Sequence, residues 1–494
     1  MATLRVGPFI DGQELADGGG GTFDVIDPAT GQTAATEACC DTATVNRAVE
    51  SSAAAFASAA WQATVPSTRG QMLLKLADLV EKHAEELVEL ELQDVGKPIS
   101  QLRGGEIPLT AAIIRYYAGA ADKIEGCVKT AEGGSFALTT YEPYGVVAGI
   151  LPWNYPLVNA ALKVAPAIAA GNAIVLKPSI ETPLSTVAFA RICSEAGIPP
   201  GIVNVVLGSG SQVGNPLVSH PAVKKVSFTG STAVGQAIQK LAADQMKKVN
   251  LECGGKNAIL VFADADLERA AQAALISAFV NCGQLCVSCS RLLVEASIAD
   301  EFVGTMVAKL ARAKVGNPRD EDTLIGPMIT RAQYETALDY LKIAREEGCN
   351  PVCGGGPLEM EGPLAGGLWI QPTILTGVAP GMRVHDEEIF GPVLSVVPFE
   401  NEAQAVEISN RVEYGLSGSI WTSDGERALR VARALDTGII WINNMLNGYP
   451  QISVPPHKMS GTGVELGMEG LLAYCKQKSL MIGYDSSAPV GWGL

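Results

Sequence analysis

The sequence predicts an α/β fold made of two α/β domains, the first of them Rossmann-like. Three observations predict it. The chain has 494 residues, more than one hydrophobic core holds, so two or three domains are expected. From residue 146 short apolar runs alternate with helical stretches: Val146–Ile150, Ala173–Leu176, Val203–Leu207, Lys225–Phe228 and Lys248–Glu252. That alternation is the pattern of a parallel sheet covered on both faces. A second series of the same texture opens at Ala258–Phe262 and continues past Trp441, which puts the boundary near Gly254-Gly255.

Taken in order, residues 1–40 read as short strands and turns, with Gly18-Gly-Gly-Gly21 as a flexible tip. Asp41 to Trp61 has the period of an amphipathic helix, capped by Asp41 or Thr42. A second helix spans Thr68 to Asp94 and stops at Gly96-Lys-Pro98. A third runs from Ile107 to about Lys123. Phe136 to Glu142 alternates as an exposed strand does. Asp266 to Ala278 is an alanine-rich helical pattern, and Leu292 to Ala296 reads as a strand. No internal repeat or low-complexity block interrupts the series.

Composition narrows the function. The formal net charge of −16 argues against nucleic acid and anionic membranes, since both select basic patches. The longest apolar run, Val164 to Leu176, is interrupted by Pro166, Gly171 and Asn172, so no membrane span is expected. Eleven cysteines at irregular spacing do not form a disulfide framework, and the opening residues lack a signal-peptide pattern. A cytoplasmic protein is the simplest expectation. The four histidines are scattered without ligand spacing, so no metal site is expected.

The chemistry concentrates in Phe279-Val-Asn-Cys-Gly-Gln-Leu-Cys-Val-Ser-Cys-Ser-Arg291, which holds three cysteines between a helix and a strand. A lone cysteine is more often core filling than a nucleophile. Upstream, Leu251-Glu-Cys-Gly-Gly-Lys256 supplies a carboxylate between two strands, and thiol catalysis needs a base. Cys286-Val-Ser-Cys289 also reads as C-x-x-C, but no second pair stands at zinc-ribbon spacing and the context is not a thioredoxin unit. Gly208-Ser-Gly-Ser-Gln-Val-Gly214 approaches a dinucleotide fingerprint with one residue too many.

Glu252-Cys-Gly-Gly-Lys256 and Phe279-x-x-x-Gly-Gln-x-Cys286 resemble the two signature motifs of the NAD(P)-dependent aldehyde dehydrogenases. Pro152-Trp-Asn-Tyr-Pro156, Lys177-Pro-Ser179, Phe228-Thr-Gly-Ser231 and Glu387-Glu-Ile-Phe-Gly-Pro392 match further motifs in the family's order. The similarity runs from Asp27-Pro-Ala-Thr-Gly31 to Gly470-Leu-Leu-Ala-Tyr474. It implies the aldehyde dehydrogenase fold: a Rossmann-like cofactor domain (1–124 and 144–254), an α/β catalytic domain (255–471), and a small β oligomerisation arm (125–143 and 472–494). In that arrangement a strand pair near 125–143 joins the C-terminal segment of a neighbouring subunit, so a homodimer or homotetramer is expected.

The resemblance also implies roles. Cys286 is the nucleophile that forms a thiohemiacetal and then a thioester, and Glu252 activates water to release the acid. Asn154 and the backbone N–H of Cys286 stabilise the oxyanion. Cys282 and Cys289 do not match the nucleophile's position. NAD or NADP is the cofactor. Gly230, Ser231 and Gly235 would meet its pyrophosphate, Lys177 with Ser179 and Ile180 its adenine ribose, and Trp153, Glu388 and Phe390 its nicotinamide half. Tyr155, Leu162 and Val454 would line the substrate pocket.

Two departures sharpen the expectations. The chain is most similar to the betaine-aldehyde and aminoaldehyde group, which boxes a cation in aromatic rings. Here Tyr155 keeps one ring, but Leu162 and Val454 stand at the tryptophan positions of plant members, and the loop Ser453-Val-Pro-Pro-His-Lys458 has lost its glycines. An apolar or aromatic aldehyde is therefore favoured over betaine aldehyde. At the ribose, NAD-preferring members carry a glutamate where this chain has Ile180, with Glu181 one residue on. NADP is expected to be used within about tenfold of NAD in kcat/KM. A CoA-acylating relative is disfavoured by Glu252, and a non-enzymatic protein on this fold by the intact Cys286, Glu252 and Asn154. Cys289 is either a resolving thiol for Cys286 or a side chain that points away from it.

Overall fold

The computed structural model describes residues 4–130 and 136–483. The parts of the expected arm at 131–135 and 484–494 lie outside the described residues. Two large sheets organise the chain. In the first, five parallel strands are Val146–Ile150, Ala173–Lys177, Val203–Val205, Val223–Thr229 and Lys248–Glu252. Their spatial order puts Lys248–Glu252 outermost, then Val223–Thr229, Val146–Ile150, Ala173–Lys177 and Val203–Val205. Val146–Ile150, Ala173–Lys177 and Val203–Val205 are buried throughout, and the first two read as nearly continuous apolar runs. The second sheet holds Thr373–Thr376, Val393–Phe399, Arg291–Glu295, Ala258–Val261, Ser417–Trp421 and Ile439–Ile442, with Asn350–Cys353 as an antiparallel edge. Each of these two sheets, with its helices, has its own core.

Helix Pro156–Ala170 fills the space against the first sheet and is buried at every residue except Leu162. Proline opens it, where no N–H partner is needed, and Gly171 ends it with a left-handed φ of 91°. Asp266 caps helix Leu267–Phe279 by accepting the Arg269 N–H at 3.2 Å. The segment Gly461–Leu472, assigned by sequence to the catalytic domain, returns to the first sheet. Gly461–Thr462 pairs antiparallel with Lys248–Glu252, and helix Gly467–Leu472 packs on Pro156–Ala170.

Three expectations need correction. Gly18 and Gly20 are not a free tip: a Cβ on either would lie 2.3 or 2.4 Å from the carbonyl oxygens of Cys39 and Cys40, so glycine permits strand Gly19–Ile26 to lie against Thr33–Cys40. The helix expected over Thr68–Asp94 is two helices, Pro66–Lys82 and Ala84–Asp94, broken at His83. The strand Phe136–Pro143, half-buried along its whole length, pairs with Cys475–Ile482 of its own chain rather than that of a neighbour, with Cys127–Thr130 on its other edge.

Candidate active site

In the first sheet Val146–Ile150 and Val223–Thr229 are neighbours whose crossovers leave in opposite directions. The strand ends part there, and such a switch point opens a crevice. The loops after these two strands carry Trp153, Asn154 and Tyr155 on one side and Gly230 and Ser231 on the other. A cavity of about 510 Å³ fills the crevice. It brings together Trp153, Asn154, Tyr155, Leu162, Gly230, Ser231, Glu252, Cys286, Glu388, Phe390 and Val454, residues drawn from across the chain. Lys177, Ser179, Ile180 and Gly235 do not line it. Lys177 ends the next strand out, and Gly235 lies in the first turns of helix Thr232–Ala243, where a Cβ would come within 2.9 Å of Cys253 Sγ.

The loop before Cys286 is held by its own backbone. Asn281 and Cys282 take left-handed φ of 48° and 56°. A Cβ on Gly283 would lie 2.3 Å from the Gly391 carbonyl oxygen, so only glycine fits. Gln284 is fully buried; its Nε2 donates to the Asn281 carbonyl at 3.0 Å and its Oε1 accepts the Ile329 N–H at 3.0 Å. After the turn, Asn257 Nδ2 donates to the Cys286 and Ser288 carbonyls at 2.7 and 2.8 Å. Cys286 is half-buried, and burial pushes its thiol up to about 12, with the carboxylates of Glu388 and Glu252 adding to the shift. Cys282 and Cys289 are buried in the core of the second sheet. The Cys289 sulfur turns to Met445 Sδ at 3.8 Å, away from solvent.

Glu252 is buried and is the last residue of its strand. Burial first, and then the neighbouring Glu465, hold its carboxyl well above the usual range, while Lys163 opposes both. Its Oε1 accepts no hydrogen bond from the described residues. Lys163 is fully buried and donates to Glu465 Oε1 at 2.6 Å and to Thr229 Oγ1 at 2.8 Å. Sequence reasoning missed Lys163 and Glu465. The signal for Lys163 was available: it is the sole charge in the apolar run Pro156–Ala170.

Asn154 is buried and its Nδ2 donates to the Gln284 carbonyl at 3.0 Å. Its own carbonyl accepts from Lys97 Nζ at 2.9 Å and Asn281 Nδ2 at 3.3 Å. Lys97 pairs with the buried Glu106 and stands over the Tyr155 ring, 3.6 Å from its centre. On the far side of the cavity Glu388 Oε1 accepts the Gly255 N–H at 2.8 Å, and burial raises its carboxyl to about 7. A Cβ on Gly254 would meet Glu388 Oε2 at 1.9 Å. The Trp153 and Phe390 rings meet edge to face at 5.2 Å. The apolar wall also includes Leu109, Val158, Ile439, Trp441 and Leu446, of which sequence reasoning assigned none. No helix among the described residues is long and apolar enough to cross a membrane.

Comparison with known proteins bears on this site. The model of the aldehyde dehydrogenase family matches residues 15–480. The DhaS protein of Bacillus subtilis is 38% identical over 479 residues, covering 97% of this chain and 95% of its own. The structure of betaine aldehyde dehydrogenase from Staphylococcus aureus in complex with NAD+ is similar at a TM-score of 0.96 and 36% identity, covering 99% of this chain and 97% of that one. That of an NAD-dependent aldehyde dehydrogenase from Sinorhizobium meliloti is similar at 0.96 and 37%, covering 99% and 96%. The chain belongs to the aldehyde dehydrogenase family, oxidoreductases that use NAD(P) to oxidise aldehydes.

Proposed function

We propose that this enzyme oxidises an uncharged apolar or aromatic aldehyde to its carboxylic acid, with Cys286 as nucleophile and Glu252 as general base. The observation that carries it is the convergence of Cys286, Glu252 and Asn154 on one largely apolar cavity. The residues present fit NAD(P). Gly254 leaves no space for a Cβ beside Glu388, and helix Thr232–Ala243 begins at the exposed Ser231, next to Gly230, with N–H groups free for a pyrophosphate. Glu388, Trp153 and Phe390 would hold the nicotinamide half, and Lys177 the adenine ribose. Bound there, the nicotinamide accepts the hydride.

The protein's own steps follow. The Cys286 thiol gives up its proton to water as its sulfur attacks the aldehyde carbon, and the oxygen that becomes negative is met by Asn154 Nδ2 and the Cys286 N–H. One such donor contributes about 3 kcal/mol in the transition state. Loss of hydride from that carbon leaves a thioester on Cys286. Glu252 takes a proton from water, the hydroxyl adds to the thioester carbon, and the carbon–sulfur bond breaks to free the acid and the thiol. Burial and Glu465 hold the Glu252 carboxyl above its ordinary range, which makes its ionised form a stronger base.

The aliphatic Leu162 and Val454 support the substrate class, as does the Lys97 ammonium already seated on the Tyr155 ring. The similarity to a betaine aldehyde dehydrogenase supports the second reading, a cationic aldehyde. Activity on hexanal, benzaldehyde and betaine aldehyde decides between them: a higher kcat/KM for betaine aldehyde refutes the first. Cys286→Ser is expected to abolish turnover, whereas Glu252→Gln releases one burst of NAD(P)H and stalls as the thioester. A homo-oligomer is supported by the three-stranded arm, whose strands Cys127–Thr130 and Cys475–Ile482 are largely exposed and which has no core of its own. Eleven unpaired cysteines suit a reducing cytoplasm.

A further inference from the structure

Asn281 stands at one of the open positions of the motif Phe279-x-x-x-Gly-Gln-x-Cys286, and none of the steps above uses it. It is buried, and its backbone is held at both polar groups: the N–H donates to Gln101 Oε1 at 3.2 Å, and the carbonyl accepts from Gln284 Nε2 at 3.0 Å. Its left-handed φ of 48° is a conformation that asparagine tolerates better than most side chains. Glycine would serve for the turn alone. The Asn281 side chain adds something glycine lacks: Nδ2 donates to the Asn154 carbonyl at 3.3 Å and to the Gln284 carbonyl at 3.2 Å. Both amide hydrogens are thereby used.

Those two carbonyls belong to the two loops that carry the oxyanion donors. Asn154 follows strand Val146–Ile150 of the first sheet, whereas Gln284 and Cys286 lead into strand Arg291–Glu295 of the second. Asn154 and Gln284 are 130 residues apart in sequence, so no local geometry sets the distance between the Asn154 amide and the Cys286 N–H. Bonds across the gap set it. Asn154 Nδ2 donates to the Gln284 carbonyl at 3.0 Å, which takes one of its hydrogens and leaves the other for a substrate oxygen. The Gln284 carbonyl thus accepts from both asparagines. The Asn154 carbonyl accepts from Asn281 Nδ2 and, at 2.9 Å, from Lys97 Nζ. Lys97, Asn154, Asn281 and Gln284 are all buried, where the low local dielectric strengthens each bond.

We propose that Asn281 is a positioning residue of the oxyanion site: its amide ties the Asn154 loop to the Cys286 loop and so sets the spacing of the two donors. This rests on the reading that Asn154 Nδ2 and the Cys286 N–H meet the oxyanion. Without the Asn281 amide, the Asn154 carbonyl keeps Lys97 and the Gln284 carbonyl keeps Asn154, so both loops stay in place and lose only their cross-brace. Slightly misplaced donors bind the neutral aldehyde oxygen nearly as well but stabilise the negative oxygen less, because the interaction strengthens as charge develops. The loss therefore falls on kcat rather than on the aldehyde KM.

Asn281→Gly tests this, since glycine keeps the left-handed turn and removes the amide. In the full-length enzyme it is expected to lower kcat and the rate of the NADH burst about tenfold to a hundredfold, with much smaller changes in the KM of aldehyde and NAD. Alkylation of Cys286 by iodoacetamide, followed by peptide mapping, needs the thiol but no oxyanion and is expected to keep its rate. In the Asn154→Ala background Asn281→Gly is expected to cost much less than it does alone, since no amide remains to be placed. Asn281→Ser, whose hydroxyl is too short to span both carbonyls, gives the same test should Asn281→Gly fail to fold. Wild-type kcat in Asn281→Gly overturns the proposal, as does an equal loss in both backgrounds or a fall in alkylation that matches the fall in kcat. Asn154→Ala alone checks the layer beneath: if it keeps wild-type kcat, Asn154 is no oxyanion donor and the underlying reading fails with the proposal. If Asn154→Ala loses kcat while Asn281→Gly does not, the role of Asn281 alone is refuted.

Discussion

Replacing Lys163 and Glu465 one at a time should move the same observable in opposite directions. Lys163 is fully buried, pairs with Glu465 at 2.6 Å, and lowers the Glu252 carboxyl that Glu465 raises. Lys163→Met removes the opposing charge and leaves the two acids Glu252 and Glu465 together. A neighbouring charge commonly shifts a carboxyl by about 1–3 pH units. Glu252 acts as a base only when ionised, so the acid limb of the pH profile for thioester hydrolysis should move up by about 1–2 units in Lys163→Met. Glu465→Gln removes the like charge and frees Lys163 for Glu252, so the limb should move down by about 1 unit. Lys163→Met should also cost about 3–5 kcal/mol of stability, the usual penalty for orphaning half of a buried pair. Single-turnover loading separates the steps: the NADH burst reports thioester formation, and steady-state turnover across pH reports its hydrolysis. Shifts of the same sign in both variants, or no shift in either, would refute the reasoning.

Other outcomes follow from the site. Gly254→Ala should raise the KM for NAD about tenfold to a hundredfold with little loss of Tm, because its Cβ displaces the Glu388 carboxylate and breaks a charge-assisted bond to the Gly255 N–H. Asn154→Ala should lower kcat about a hundredfold or more with a smaller change in aldehyde KM, as loss of an oxyanion donor does; equal loss in both cofactor and aldehyde affinity would instead mark a collapsed loop. Peptide mapping after mild peroxide should find oxidation at Cys286 without a Cys286–Cys289 disulfide, since Cys289 is sealed in the core against Met445.

The parallel strands were legible in the sequence nearly residue for residue. Val146–Ile150 is the same in both readings because a strand buried on both faces must be a continuous apolar run; Lys248–Glu252 also matches, although its Lys248 is exposed. The break at His83 was not legible, since neither proline nor glycine marks it and the acidic turn Glu85-Glu86 reads equally well inside a longer helix. The glycines at 18–21 look like a loop because sequence does not reveal that another backbone lies against them. The main residues of the site were legible through motifs, but the pairs that tune it were not. Lys163 meets Glu465 across a separation that no local pattern encodes.

The return of the C-terminal segment to the first sheet has a consequence for how the enzyme is made. Lys163 and Glu465 are 302 residues apart, and the strand Gly461–Thr462 that flanks Glu252 emerges from the ribosome long after it. The first sheet can collapse early around its local β/α units. Its edge and the counter-charge of the buried lysine arrive only after the second sheet has been translated. A nascent chain that stops short of Gly461 would hold an unpaired buried cation and an open sheet edge, the kind of surface that chaperones recognise. Premature termination anywhere before residue 465 would therefore disturb the surroundings of Glu252, the proposed base, as well as the arm, although Glu252 and Cys286 have long been translated.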